Sequence, residues 1–205
     1  EHKTTPKTSA PSAEQAVELL KPYVEKGQEV ICFAIASGMS SSMNVMRLAA
    51  EELNAENLVT VIDSANLSTG IGLLVIEAAI MAKEGKTSEE IITKIEELKP
   101  LVRASFVVDT LKYLHRGGRC SSTATLVGGV LIVVDGAMKP AKKYRGNMLH
   151  VTLDYVKDME KAMLNSHKDR VFITHSGSDP KVVQEVYDYL EGLHYFDEIC
   201  ITRAG

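Results

Sequence analysis

The chain has 205 residues, enough to bury one sizeable hydrophobic core or two small ones. Hydrophobic residues make up 45% of it and aromatic residues 5%, so aliphatic side chains must fill the interior. Acidic residues outnumber basic ones by 27 to 23, which argues against a dedicated nucleic-acid-binding protein. Three cysteines without disulfide or zinc spacing indicate a reducing compartment, and no signal peptide or membrane-spanning run is recognised. We therefore expect a cytoplasmic protein without a stable membrane anchor.

Short β-branched runs alternate with amphipathic segments along the chain. Strands are predicted at residues 29–37, 58–64, 105–110, 131–135, 170–175 and 198–202. Helices are predicted from Ser12 onward and at residues 43–53, 70–83, 88–98, 151–165 and 180–190. Their N-terminal signals are Ser12 with Gln15, Ser88, and Asp179 before Pro180. Because several strands are apolar at consecutive positions, the pattern predicts an α/β fold with largely parallel sheets flanked by helices.

The segment 115–147 interrupts this alternation. It is rich in Gly, Ser and Thr and then carries a basic cluster that ends at Arg145. The change of composition predicts a domain boundary near Leu114. The expected units are an N-terminal α/β lobe of residues 1–114 and a C-terminal α/β lobe of residues 115–205.

A serine-rich turn follows the first predicted strand, at residues 37–42 (SGMSSS). Ligands of open α/β sheets gather at the carboxyl ends of strands, and the first N–H groups of a helix favour an anion. The turn is therefore a candidate anion site, and the alternative is that its serines merely cap the helix. A second hydroxyl pair, Thr8 and Ser9, precedes the first helix and is a further candidate for ligand binding. The alternative is that these two residues belong to an ordinary polar loop.

Two further features could take part in chemistry. Gly117 and Gly118 lie beside Arg119, a pattern that would let the backbone approach a ligand closely and would hold the guanidinium in a fixed position. The alternative is an ordinary turn with a surface arginine. Asp63 and Asp109, at the ends of predicted strands, could act as a base or cap helices. No catalytic motif, metal-ligand spacing or cofactor motif is recognised, so we expect no metal, no cofactor and no catalytic residue.

Four stretches in order resemble the DegV family of bacterial fatty-acid-binding proteins. Residues 8–12 (TSAPS) are similar to the family's TSQPS, and residues 36–42 (ASGMSSS) to its SSGLSGT. Residues 107–119 (VVDTLKYLHRGGR) resemble VDTLxYLxxGGR, and residues 135–146 (DGAMKPAKKYRG) resemble DG…KxRG. The family's initial strand and helix and its GTHTGPG-type ending have no counterpart here. Ser41 replaces a glycine of the family.

The resemblance implies a two-lobed protein that buries a long-chain fatty acid between its lobes and presents it to a fatty-acid kinase, which forms the acyl phosphate. Thr8 and Ser40 would bind the carboxylate, with Ser9, Ser37 and Gly38 around it. Arg119 and Arg145 would face the kinase or the phosphate. One alternative is a phosphotransferase-type α/β enzyme that uses the serine-rich turn for phosphate. A DNA-binding module, suggested by the basic cluster, is disfavoured by the acidic total.

Overall fold

The computed structural model describes residues 8–119, 127–163 and 167–204. Contacts divide the chain into two units. The first contains the chain up to Ala104 together with Val133–Met138, and the second contains Ser105–Ile132 together with the chain from Lys139 onward. This division by contacts falls after Ala104, because the strand that begins at Ser105 pairs with a later strand of the second unit.

Within its described residues up to Ala104, the first unit contains two parallel strands, four α-helices and a short 3-10 helix at Lys99–Leu101. Its elements are α1 (Ala13–Val24), β1 (Val30–Ala34), α2 (Ser42–Glu52), β2 (Val59–Asp63), α3 (Thr69–Lys83) and α4 (Ser88–Leu98). β1 pairs with β2 in parallel from Val30↔Val59 to Ala34↔Asp63. The helical crossover through α2 makes this pairing possible, since parallel neighbours need a connection of about a dozen residues or more.

Two core clusters cover opposite faces of this small sheet. Val59 packs in a cluster with residues of α1 and α2, whereas Ile62 packs with residues of α3 and α4. Residues three apart on a strand point to opposite faces. The consecutive apolar positions of β2 therefore reflect burial on both sides, as the sequence predicts.

The second unit mixes antiparallel and parallel strands. Its elements are β3 (Ser105–Thr110), α5 (Lys112–Arg116), β4 (Val127–Val134), β5 (Ala137–Lys143), α6 (Met148–Met163), β6 (Val171–His175), α7 (Pro180–Gly192) and β7 (Ile199–Arg203). The tip of the β4–β5 hairpin, Val133–Met138, belongs to the first unit. β6 and β7 are parallel, whereas β3 and β4 are antiparallel in a sheet of order β3-β4-β5. The α/β prediction is confirmed, and the antiparallel sheet is an exception to its largely parallel character.

Local signals at helix starts are accurate in two of three cases. Ser12 and Gln15 form the predicted capping box of α1, and Asp179 caps α7 with Pro180 in the first turn. The predicted cap Ser88 is wrong. Thr87 caps α4 together with Glu90, and the Ser88 hydroxyl instead donates to Glu29.

Candidate functional site

The loops that follow β1 and β2 leave the same edge of the first unit's sheet. Ala34 and Asp63, the last residues of the two strands, are paired neighbours. Beyond them, the backbone N–H of Ala36 donates to the carbonyl of Asn66 over 2.9 Å. Parallel pairing therefore brings together two loops that lie far apart in the sequence.

The Asp63 carboxylate connects these two loops by hydrogen bonds. It accepts from the backbone N–H of Ala65 at 2.8 Å and from the backbone N–H of Ser37 at 3.3 Å. Burial raises the pKa of Asp63, but hydrogen bonds from Ser37 and Ala65 and the charge of Lys99 outweigh it, so the pKa lies below its usual range. A carboxylate held in its ionised form is a weak general base near neutral pH.

The predicted serine-rich turn, residues 37–42, is called the serine turn below. The N–H groups of Met39 and Ser40 both donate to the Ala36 carbonyl, at 2.8 and 3.2 Å. The Ser40 hydroxyl accepts from the N–H of Ser42 at 3.2 Å and lies 2.9 Å from the Ser42 hydroxyl. Ser37 and Gly38 are exposed, and Ser40 is half-buried. The structure thus brings three predicted site residues into one turn.

The start of α2 suits an anion. Its N-cap residue, Ser41, makes no side-chain capping bond, and its first turn contains no acidic residue. Ser41 has a φ of −84°, so the serine that replaces a family glycine is not strained there. The helix dipole and the first N–H groups give this end a partial positive charge.

The start of α3, at the same sheet edge, shares this character. Its N-cap Ser68 makes no side-chain capping bond, and no acidic residue lies in the first turn. By contrast, side-chain caps are present on α1, α4 and α7. In both helices that follow β1 and β2, the N-cap side chain therefore makes no capping bond, and at α2 the Ser40 hydroxyl accepts only the first N–H, that of Ser42.

Sequence reasoning missed two buried polar residues in the loop after β2. Ser64 is fully buried and Asn66 is 3% exposed. The Ser64 hydroxyl donates to the Asn66 carbonyl and accepts from the Asn66 N–H, both at 3.2 Å, and Asn66 Oδ1 accepts from Leu67 N at 3.0 Å. The available signal was the polar residues at the end of the predicted strand 58–64 and just beyond it, Ser64 and Asn66.

Thr8 and Ser9 are exposed residues just ahead of the α1 cap. They lie in the same unit as the serine turn, and α1 packs against α2, which begins at Ser42. The structure therefore places this hydroxyl pair on a separate segment from Ser40, at the start of a neighbouring helix.

Both predicted arginines are exposed residues of the second unit. Arg119 donates to the Gly117 carbonyl at 2.7 Å, so it braces the turn in which Gly118 has a φ of +72°. Arg145 follows Tyr144, whose buried ring anchors the segment after β5, since its hydroxyl donates to Asp158 at 2.8 Å.

Within residues 8–119, 127–163 and 167–204, no cluster of His, Cys, Asp and Glu is arranged to hold a metal ion. None of the helices in that part of the chain is both long and apolar enough to cross a bilayer. The side chain of Asp109, the second candidate base, lies outside the described residues.

Comparison with known proteins places these features in a family. The model of the DegV family of uncharacterised proteins matches residues 1–205. A DegV domain-containing protein of Clostridium acetobutylicum is 35% identical over 161 residues, which are 75% of this chain and 57% of that protein. The chain thus spans little more than half the length of that curated relative.

Solved structures of fatty-acid-binding proteins are also similar to this chain. A Thermotoga maritima protein whose structure reveals a fatty-acid-binding function is 26% identical, with a TM-score of 0.83, over 99% of this chain and 72% of that one. A stearic-acid-binding protein of Eubacterium ventriosum is also 26% identical, with a TM-score of 0.84, over 96% of this chain and 71% of that one. The chain belongs to the DegV family.

Proposed function

We propose that the protein binds one long-chain fatty acid and presents it to a fatty-acid kinase, without catalysing a reaction itself. The observation that carries the proposal is the serine turn before α2, whose N-cap side chain makes no capping bond, in a fold shared with fatty-acid-binding relatives. Thr8 and Ser40 hydrogen-bond the carboxylate. Ser9, Ser37 and Gly38 surround it with hydroxyl and backbone N–H groups.

Charge favours a carboxylate at this turn. A buried carboxylate is costly unless it is hydrogen-bonded, and the Ser40 hydroxyl and the first N–H groups of α2 are suitable donors. Donors of this kind favour the ionised form of the ligand. An ionised carboxylate is the nucleophile that a kinase requires for acyl-phosphate formation.

The tail would supply most of the affinity from an apolar tunnel. Each buried methylene contributes about 0.8 kcal/mol before ordering and association costs are subtracted. The low aromatic content, 5%, suits walls made of aliphatic side chains. The fatty acid should therefore remain bound through purification.

The two exposed arginines are the proposed contacts to the kinase or to the phosphate. A guanidinium has five N–H donors in a fixed fork, and Arg119 donates one of its own to the Gly117 carbonyl. Such forks match carboxylate and phosphate geometry, and arginine is enriched among interface residues that dominate binding. The bracing of Arg119 would orient its fork before a partner arrives.

Native mass spectrometry of the purified full-length protein tests the proposal. We expect a co-purified mass that matches a long-chain fatty acid, and calorimetry of the delipidated protein should show binding of saturated acids of about 14–18 carbons. A bound phosphorylated metabolite would instead favour the phosphotransferase alternative. No binding of any such acid by the delipidated protein would refute the proposal.

A further inference from the structure

From the packing of the β4–β5 hairpin tip, we infer that Gly136 is a positioning residue that fixes the serine turn and thereby sets selectivity for a carboxylate over a neutral headgroup. The inference rests on the proposed function. It concerns a residue outside the serine turn, on a distant part of the chain. All contacts that support it lie within the first unit.

The hairpin tip has a defined geometry. Asp135 and Gly136 connect β4 to β5, and their φ angles are +52° and +71°. Two successive left-handed residues are typical of the tight turns that join antiparallel strands with native twist. Gly136 is buried, so the tip is packed against other residues.

The tip contacts both loops of the candidate site. A Cβ at residue 38 would lie 3.1 Å from the carbonyl oxygen of Gly136, so Gly38 allows the tip to approach the serine turn. A Cβ at residue 136 would lie 3.4 Å from Ala36 Cβ and 3.6 Å from Ala65 Cα. Gly136 therefore rests where the loops after β1 and β2 meet.

Ala36 carries this contact to the hydroxyl that is proposed to bind the ligand. It has no exposed surface, and its carbonyl accepts the N–H groups of Met39 and Ser40. Its own N–H donates to Asn66. A displacement of Ala36 would therefore move the backbone of Ser40, the residue proposed to bind the headgroup.

Gly136→Val and the milder Gly136→Ala test this assignment. Gly27→Val and Gly27→Ala are matched controls, because Gly27 has a φ of +66° in the same unit and a Cβ there would meet nothing within 4 Å. A side chain is strained at both positions, because L-residues other than glycine rarely adopt a positive φ. Only residue 136 has neighbours: a Cβ there lies at ordinary van der Waals distance from Ala36 and Ala65, so crowding of these two residues requires the larger side chain of valine.

Affinity for a fatty acid and for the primary alcohol of the same chain length should be measured in delipidated full-length protein, together with the melting temperature. We expect Gly136→Val to lose acid affinity by about fivefold or more, with alcohol affinity unchanged within about twofold, and Gly136→Ala to show a smaller change in the same direction. The Gly27 variants should keep the wild-type ratio of the two affinities. The melting temperature separates an effect on the turn from global unfolding.

Three outcomes decide the inference. An unchanged acid-to-alcohol ratio in both Gly136 variants would overturn it while leaving the proposed function intact. Parallel loss of both affinities would also overturn it, since the defect would then not concern the headgroup. Failure of the wild-type protein to bind any fatty acid would instead reject the proposed function on which the inference depends.

Discussion

Gly70, in the first turn of α3, lies directly against the side-chain amide of Asn66. A Cβ at residue 70 would come within 2.1 Å of Asn66 Oδ1, the oxygen that accepts from the N–H of Leu67. The absent side chain of Gly70 therefore leaves room for a buried polar side chain in the loop after β2. This loop in turn bonds to Ala36 at the base of the serine turn.

We predict that Gly70→Ala destabilises the protein by about 1–3 kcal/mol, because Asn66 must leave its place in a packed interior. Gly72→Ala is the matched control in the same helix, since a Cβ there would meet nothing within 4 Å. Alanine at position 72 should stabilise the helix by about 0.5–1 kcal/mol. Urea denaturation measures both, and similar effects at the two positions would contradict the predicted clash.

Asp63→Asn should weaken the connection between the two loops. Asparagine keeps one acceptor oxygen, but its NH₂ group would face a backbone N–H of Ser37 or Ala65. We expect a loss of about 1.5–3 kcal/mol near neutral pH, because the carboxylate bonds are charge-assisted. Asp169→Asn, at an 80% exposed side chain, is the control and should change stability little.

The effect of Asp63→Asn should depend on pH in a definite direction. The pKa of Asp63 is lowered in the folded protein, so its contribution is fully present above the unfolded pKa of about 3.9. It is lost as the pH falls through the folded pKa, where both states become protonated. The difference between wild type and variant should therefore shrink in acid, and a constant difference from neutral pH downward would count against this role.

Thr8→Val and Ser40→Ala should each weaken fatty-acid binding by about tenfold or more, since each would remove one of the proposed hydrogen bonds to a charged group, worth about 1.5–3 kcal/mol. The two changes should be coupled in the double variant, because both hydroxyls are proposed to bind one carboxylate. Thr93→Val, at an exposed position of α4, is the control. Calorimetry with delipidated protein gives the affinities, and strict additivity would argue against a shared headgroup.

Arg119→Ala and Arg145→Ala should leave fatty-acid binding intact but reduce acyl-phosphate formation with the cognate kinase. Both residues are exposed, and exposed arginines are frequent determinants of partner binding. Arg103→Ala, another exposed arginine, should retain turnover. Loss of lipid binding at an unchanged melting temperature would instead indicate that the arginines bind the headgroup.

The sequence by itself determined the elements whose signals are local. The apolar runs of β1 and β2, the periodicity of α2 and α3, and the caps Ser12 and Asp179 each depend on residues within a few positions of one another. The serine turn was predicted for the same reason: a short polar run follows an apolar strand. Hydrogen bonds and side-chain periodicity over such distances do not require the rest of the fold.

Only the tertiary structure decided how distant segments meet. β5 is basic and contains Pro140, so it has no apolar pattern of its own and forms as an edge strand beside β4. The bond between Ser37 and Asp63 and the contact between Gly38 and Gly136 join loops whose separation along the chain carries no local signal. Parallel pairing of β1 with β2 brings Ser37 to the Asp63 carboxylate, and the packing of the β4–β5 tip brings Gly136 to Gly38. Both contacts depend on the positions of distant segments, which short-range patterns in the sequence do not specify.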